Sequence, residues 1–192
     1  MSLFQPDRYF SRISYIDISF DIVRRGFECV LLDVDNTVLT RDTRSVPRDV
    51  SLWLSRLQSA GVSVCFLSNN FHNDVLVMAR ELNISIISKA LKPLPFGYMR
   101  ACKLMGSSKE RTLMIGDQLS TDILGAHLAG LTAYMVCPLV PEDLKHTRVL
   151  RVFENAFLKD REPEGVSCLD EGSVQLLSLI HISEPTRLRC IS

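Results

Sequence analysis

The sequence predicts an α/β fold, a doubly wound, Rossmann-like parallel sheet sandwiched by helices. Three observations lead there. The apolar runs Val30–Val34, Val62–Leu67, Ile84–Ile87, Thr112–Ile115 and Thr132–Cys137 have strand length and are almost continuously apolar, as strands buried on both faces are. Segments with apolar residues at i, i+3 and i+4 lie between them, so strand and helix alternate, and right-handed crossovers make such a sheet parallel. Finally, reactive polar residues follow the strands: Asp33 and Asp35 after the first, Ser68 after the second, Lys92 just past the third and Asp117 after the fourth. In a doubly wound fold ligands bind beyond the carboxyl ends of the strands, so these signals share one edge.

The elements follow in chain order. Residues 1–25 form an aromatic lead-in: Phe4, Tyr9, Phe10, Tyr15 and Phe20 are interleaved with Arg8, Arg12, Arg24 and Arg25. A segment this aromatic is expected to be ordered, either with its rings packed on the domain or as a peripheral patch against lipid headgroups. The first strand then runs into Asp33-Val34-Asp35-Asn36-Thr37, and Thr40–Ser45 is a polar excursion. Pro47 marks a helix start, with Val50, Trp53, Leu54 and Leu57 on one face and Gly61 ending it. Asp74 to Leu82 is helical through Val75, Met78, Ala79 and Leu82. Pro95 opens a helix carrying Tyr98, Ala101, Cys102 and Met105, closed by Gly106. Thr121–Ala129 is a helix stopped by Gly130, and Val149–Lys159 is a final one.

The domain is expected to span residues 26–160. From 161 to 192 the chain changes character, and its end from about 177 (LLSLIHISEPTRLRCIS) resembles translated adapter read-through.

Composition narrows the function. Twenty-two basic and 22 acidic residues cancel among 192, so no net field favours nucleic acid. Met1 to Gln5 lack the pattern of a secretory signal, and no apolar run has the length of a membrane span. The six cysteines have no CxxC spacing, and Cys29, Cys65 and Cys137 lie in strand-like runs. Reduced thiols in a cytoplasmic protein are the expectation.

The first strand carries the chemistry. Alternate residues of an extended segment share a face, so Asp33 and Asp35 leave the strand pointing the same way. At about 4 Å two carboxylates repel by roughly 4 kcal/mol at an effective dielectric near 20. A shared proton or a bound cation would offset that; an Asp-Asn turn closing an ordinary strand is the plain alternative.

The segments DVDNT (33–37), FLSNN (66–70), LKP (91–93) and GDQLSTD (116–122), in this order, resemble the four motifs of the haloacid dehalogenase (HAD) phosphatase superfamily. Their wording is similar to that of the class IIIA, YqeG-like branch and of mitochondrial phosphatidylglycerophosphate phosphatases. The resemblance covers residues 26–140. It implies a Mg²⁺-dependent phosphatase in which Asp33 attacks phosphorus to form an aspartyl-phosphate. Asp35 would act as general acid and base. Ser68 and Asn69 would contact phosphoryl oxygens, and Lys92, preferred to nearby Lys89 on the motif pattern, would supply positive charge. Asp33, the backbone carbonyl of Asp35, Asp117 and Asp122 would hold the metal or its waters. Ser68 and Asp122 are also ordinary helix-start residues.

Thr37 is expected to hold its turn. His72, His127 and His146 lack partner spacing and read as packing or surface residues. Arg41, Arg44 and Arg48 either grip a second anionic group of the substrate or are solvated surface charge.

Neither gap between motifs has room for a cap domain, which predicts an open site fit for a bulky phosphate ester, a small molecule or a lipid headgroup, with oligomerisation open. Two other readings compete. A receiver domain would phosphorylate an Asp after the third strand, where this chain has Lys89 and Lys92. A non-catalytic binding or assembly protein would have no need of Asp33, Asp35, Lys92 and Asp117 together.

Overall fold

The computed structural model describes residues 2–70, 73–140 and 162–165. It contains strands β1 (Arg8–Phe10), β2 (Cys29–Leu32), β3 (Ser63–Leu67), β4 (Ser85–Ile87), β5 (Thr112–Gly116) and β6 (Thr132–Val136). Helices α1 (Arg48–Ser59), α2 (Asn73–Glu81), α3 (Pro95–Met105) and α4 (Leu124–Ala129) connect them. The six strands form one sheet in the order β1-β6-β5-β2-β3-β4, and every pairing is parallel. This is the doubly wound fold expected from the apolar runs.

The strands are buried on both faces because their side chains alternate between two cores. Val30, Leu32, Phe66, Leu113, Ile115 and Tyr134 face one core, which α1 completes with Val50, Trp53, Leu54 and Leu57. Leu31, Cys65, Leu67, Met114, Ala133 and Met135 face the other, covered by Tyr98, Ala101 and Cys102 of α3 and Ala126 of α4. Gly61, Gly106 and Gly130 follow α1, α3 and α4 with φ of +79°, +64° and +79°, the left-handed turn that ends a helix.

The lead-in contributes a strand that the hydrophobic pattern does not announce. Arg8, Tyr9 and Phe10 pair in register with Tyr134, Met135 and Val136, adding an edge to the sheet. Only three residues long, with Arg8 at its head, β1 is too short for period-two alternation to reveal it. Phe10 and Phe27 bring their rings to 5.8 and 6.2 Å from that of Tyr134. The outer edge of β1 is met by Glu164, whose N–H donates to Tyr9 O at 2.8 Å and whose carbonyl accepts from Ser11 N–H at 2.9 Å. Glu164 lies within the stretch expected to be tail, yet its backbone bonds to the sheet.

Helix Thr121–Ala129 also differs from expectation: Leu119–Ile123 forms a wide π-helical turn, and α4 starts only at Leu124. The helix expected at 149–159, the tail from 166, and His72 and His146 lie outside the described residues.

Candidate active site

Sheet order locates the site. β2 lies between β3 and β5, so the chain leaves β2 to one side and returns on the other, opening a crevice at the carboxyl ends of β2 and β5. Asp33 stands there, its N–H donating to Ile115 O at 2.9 Å. Asn36 next turns the chain at φ +70°, a conformation Asn tolerates. Its side chain pins the segment after β6, accepting from Val140 N–H and donating to Val140 O, both at 2.9 Å. Thr37 does more than hold its turn, because its hydroxyl lies 3.5 Å from Asp117 Oδ1.

Lys92 is the hub. Its Nζ binds Asp33 Oδ1 and donates to Asp122 Oδ1 at 2.7 Å. Its backbone is fixed by Asn69, whose Oδ1 accepts from Lys92 N–H at 2.7 Å and whose Nδ2 donates to Lys92 O at 3.1 Å. Lys89, by contrast, is exposed and outside the cavity lining. The wide turn aims Asp122 at Lys92: Asp122 Oδ2 accepts from Gln118 N–H at 3.2 Å, and Tyr98 hydroxyl donates to Thr121 O at 2.8 Å. Gly116 makes room, since a Cβ there would lie 2.4 Å from the Asp122 carboxylate.

Asp33, Asp117 and Asp122 are buried and each offers an oxygen within 4.8 Å of the others. Among the described residues Lys92 is the only ammonium bound to them, so the three carboxylates, when ionised, lack two positive charges. Hard oxygen donors with that deficit suit a divalent cation. Burial raises the Asp33 carboxyl to about 7 against the pull of Lys92. Burial, then Asp33 and Asp122, push Asp117 well above the usual carboxylate range. For Lys92, burial works downward, but Asp122 and Asp33 outweigh it and leave the ammonium raised. Bound positive charge would reverse the carboxylate shifts.

The Asp35 side chain does not join this cluster among the described residues. Its Oδ1 accepts from Arg44 Nη1 at 2.8 Å and its Oδ2 from Asn70 Nδ2 at 2.9 Å. The Arg44 guanidinium offsets charge on Asp35, while Asp35 still raises the Asp33 carboxyl. Arg44, on the excursion, is ion-paired to Asp35 and Asp74 rather than left to solvent. Arg41 lines the cavity, and Arg48 is exposed at the start of α1.

Ser68 follows β3 directly and is buried, with its Oγ accepting from Asn70 N–H at 3.1 Å. It is not among the lining residues. These are Asp33, Asp35, Arg41, Asn69, Asn70, Lys92, Gln118 and Thr121, around an open cavity of about 210 Å³. Asn70, Gln118 and Thr121 of the lining, and Asn36 behind it, are the contributors that sequence reasoning missed, as is the pairing of Arg44 with Asp35. The FLSNN and GDQLSTD segments contain Asn70, Gln118 and Thr121; nothing local marks Arg44 as a partner of Asp35.

A parallel α/β sheet with a lysine-bound aspartate and an acidic cluster at its switch point marks a doubly wound α/β protein whose reactive groups stand where such folds bind ligands. The chain belongs to the haloacid dehalogenase-like hydrolase family, which it matches over residues 9–130. It is 30% identical over 162 residues to "Probable phosphatase YqeG" of Bacillus subtilis (strain 168), covering 84% of this chain and 94% of that one. Among solved structures it is similar to 4-nitrophenylphosphatase from Thermotoga maritima, with TM-score 0.53 and 14% identity over 66% of this chain and 92% of that one. A hypothetical protein from Xanthomonas campestris gives TM-score 0.50 and 18% identity, covering 64% and 71%. The two structural likenesses establish the shared fold.

Proposed function

We propose that this hydrolase is a Mg²⁺-dependent phosphatase that cleaves phosphate monoesters through an aspartyl-phosphate on Asp33. One observation carries the reading: a single buried ammonium, Lys92 Nζ, binds both Asp33 and Asp122 beside Asp117 at the mouth of the cavity. Lys92 shares Asp33 Oδ1 and so leaves Oδ2 to attack phosphorus while stabilising charge on the phosphoryl oxygens. Asp35 lines the same cavity, where it gives a proton to the leaving oxygen and takes one from the water that hydrolyses the intermediate.

Asp33 and Asp117 would hold Mg²⁺ by their side chains and Asp35 by its backbone carbonyl, as the family resemblance implies. Asp122, already bound to Lys92 and Gln118 N–H, orients the ammonium and any metal-bound water. Bound Mg²⁺ would neutralise the clustered carboxylates and polarise the phosphoryl group. Ser68 keeps its O–H to donate to a phosphoryl oxygen, and Asn69 acts through Lys92, whose backbone it holds. The buried free thiols Cys29, Cys65 and Cys102 support a reducing, cytoplasmic setting.

The test is hydrolysis of p-nitrophenyl phosphate with and without Mg²⁺, wild type against Asp33→Asn. Loss of turnover in the variant and on chelation is expected. Equal rates would favour a non-catalytic binding or assembly role instead.

A finer reading has its own support. Leu91, Leu94 and Phe96 flank Lys92 and are 63%, 48% and 69% exposed. Exposed apolar side chains close in sequence to the lysine of a phosphate site suit a lipid phosphomonoester, of which phosphatidylglycerophosphate is the one suggested by the family resemblance. Replacing Leu94 and Phe96 by Ser should then slow phosphate release from that lipid in vesicles while leaving p-nitrophenyl phosphate turnover unaltered. Equal slowing on both would count against a lipid.

A further inference from the structure

Arg44 stands out from the polar excursion that carries it. Its backbone is left-handed at φ +52°, costly for a residue with a Cβ. Its Nη2 is buried with no hydrogen-bond partner among the described residues. Strain and an unmet donor at one residue beside a reactive site ask what the arrangement secures. The remaining guanidinium nitrogens answer. Nε donates to Asp74 Oδ2 in the first turn of α2 at 2.8 Å, and Nη1 donates to Asp35 Oδ1 at 2.8 Å. From the other side Asn70 Nδ2 holds Asp35 Oδ2 at 2.9 Å. A planar guanidinium fixed at Nε has little freedom left at Nη1, so its orientation is passed on to the carboxylate.

We propose that Arg44, anchored by Asp74, is a positioning residue that aims Asp35 at the leaving-group oxygen. This rests on the reading of Asp35 as general acid and base. In the first step the Asp33 oxygen–phosphorus bond forms and the bond from phosphorus to the leaving oxygen breaks. The electron pair stays on that oxygen, which takes the proton of Asp35. In the second step a water oxygen bonds phosphorus, the aspartyl oxygen leaves with its pair, and Asp35 receives the water's proton. Aim matters most where the leaving oxygen is most basic: p-nitrophenolate departs unassisted, whereas an alkoxide needs the proton as it leaves.

That difference gives a readout which general damage to the fold would not move. kcat/KM, which reports the step releasing the leaving group, is measured with Mg²⁺ for p-nitrophenyl phosphate and β-glycerophosphate on wild type, Asp33→Asn, Asp35→Asn, Arg44→Gln and Asp74→Asn. Asp33→Asn should abolish both activities, and Asp35→Asn should lower the alkyl ester more than the aryl ester. Arg44→Gln should cut the alkyl-to-aryl ratio at least tenfold and Asp74→Asn about threefold, while Arg44→Lys keeps part of the ratio. If Arg44→Gln fails to fold, as its melting curve would reveal, Asp74→Asn decides, since that side chain is 49% exposed. Equal effects on both esters, or none, with Asp35→Asn still separating them, would overturn the positioning role. A fully active Asp33→Asn, or an Asp35→Asn that does not separate the esters, would bring down the phosphatase reading and this inference with it.

Discussion

Lys92 Nζ sits 2.7 Å from Asp122 Oδ1 while also binding Asp33 Oδ1, so one buried cation joins the end of β2 to the wide turn after β5. Lys92→Gln leaves those carboxylates facing each other without their ammonium. Removing one member of a buried ionic cluster costs about 3–5 kcal/mol, and losing the phosphoryl-facing charge costs roughly a hundredfold in kcat or more. Urea denaturation in EDTA and p-nitrophenyl phosphate kinetics measure the two effects. Wild-type stability in the variant would show that Lys92 does not hold the cluster.

The room Asp122 occupies is supplied by a missing side chain. A Cβ on Gly116 would lie 2.4 Å from Asp122 Cγ and Oδ2, and the carboxylate, tied to Lys92 and Gln118 N–H, cannot yield without losing a partner. Gly116→Ala is expected to cost about 1–3 kcal/mol in overpacking, with a loss of kcat larger than the change in KM because Lys92 is displaced. Denaturant midpoints and steady-state kinetics check this; a neutral Gly116→Ala would mean the carboxylate has another place to go.

What the sequence reveals and what it hides divide along physical lines. Burial is periodic, so Leu31 and Leu32, facing opposite cores, announce a doubly covered strand. The carboxyl ends of β2, β3 and β5 then bring Asp33, Ser68 and Asp117 to one edge with no further information. Polar pairing is not periodic. That Asn36 clamps Val140, 104 residues away, and that Arg44 claims Asp35 depend on where loops return, which local pattern does not encode. Strand β1 fails for a different reason, since its three residues pair with β6 through backbone bonds available to almost any side chain.

The shortage of positive charge around Asp117 predicts how the protein responds to metal. Mg²⁺ at one hundred times its dissociation constant should stabilise the fold by about 2.7 kcal/mol, and EDTA should remove the gain. Asp117→Asn takes away one of three crowded carboxylates, so it should be at least as stable as wild type in EDTA yet gain little from Mg²⁺. Melting temperatures of both proteins across a Mg²⁺ titration supply the comparison. An undiminished Mg²⁺ response in the variant would remove Asp117 from the metal site.

The lead-in is tied to α4 by a histidine that has an acceptor at each ring nitrogen. His127 Nδ1 lies 2.8 Å from Leu3 O and Nε2 lies 3.1 Å from Asp7 Oδ2. Only imidazolium donates at both positions, and the bond to Asp7, working against burial, raises the His127 pKa above its ordinary 6.5. Burial pulls Asp7 upward, but His127 and the Ala133 N–H outweigh it and hold Asp7 below its ordinary 3.8. For His127, a folded pKa above the unfolded one means stability that is complete below about pH 6.5 and lost as pH rises through the folded value. For Asp7 the sign is opposite, with stability present above about pH 3.8 and lost as pH falls through the folded value. The pair therefore contributes most between these limits, by about 0.5–1 kcal/mol for a partly exposed ion pair. Urea midpoints of wild type and His127→Gln, compared from pH 5 to pH 9, should differ at the acid end and converge at the alkaline end; a constant gap across the range would mean that the contact does not titrate.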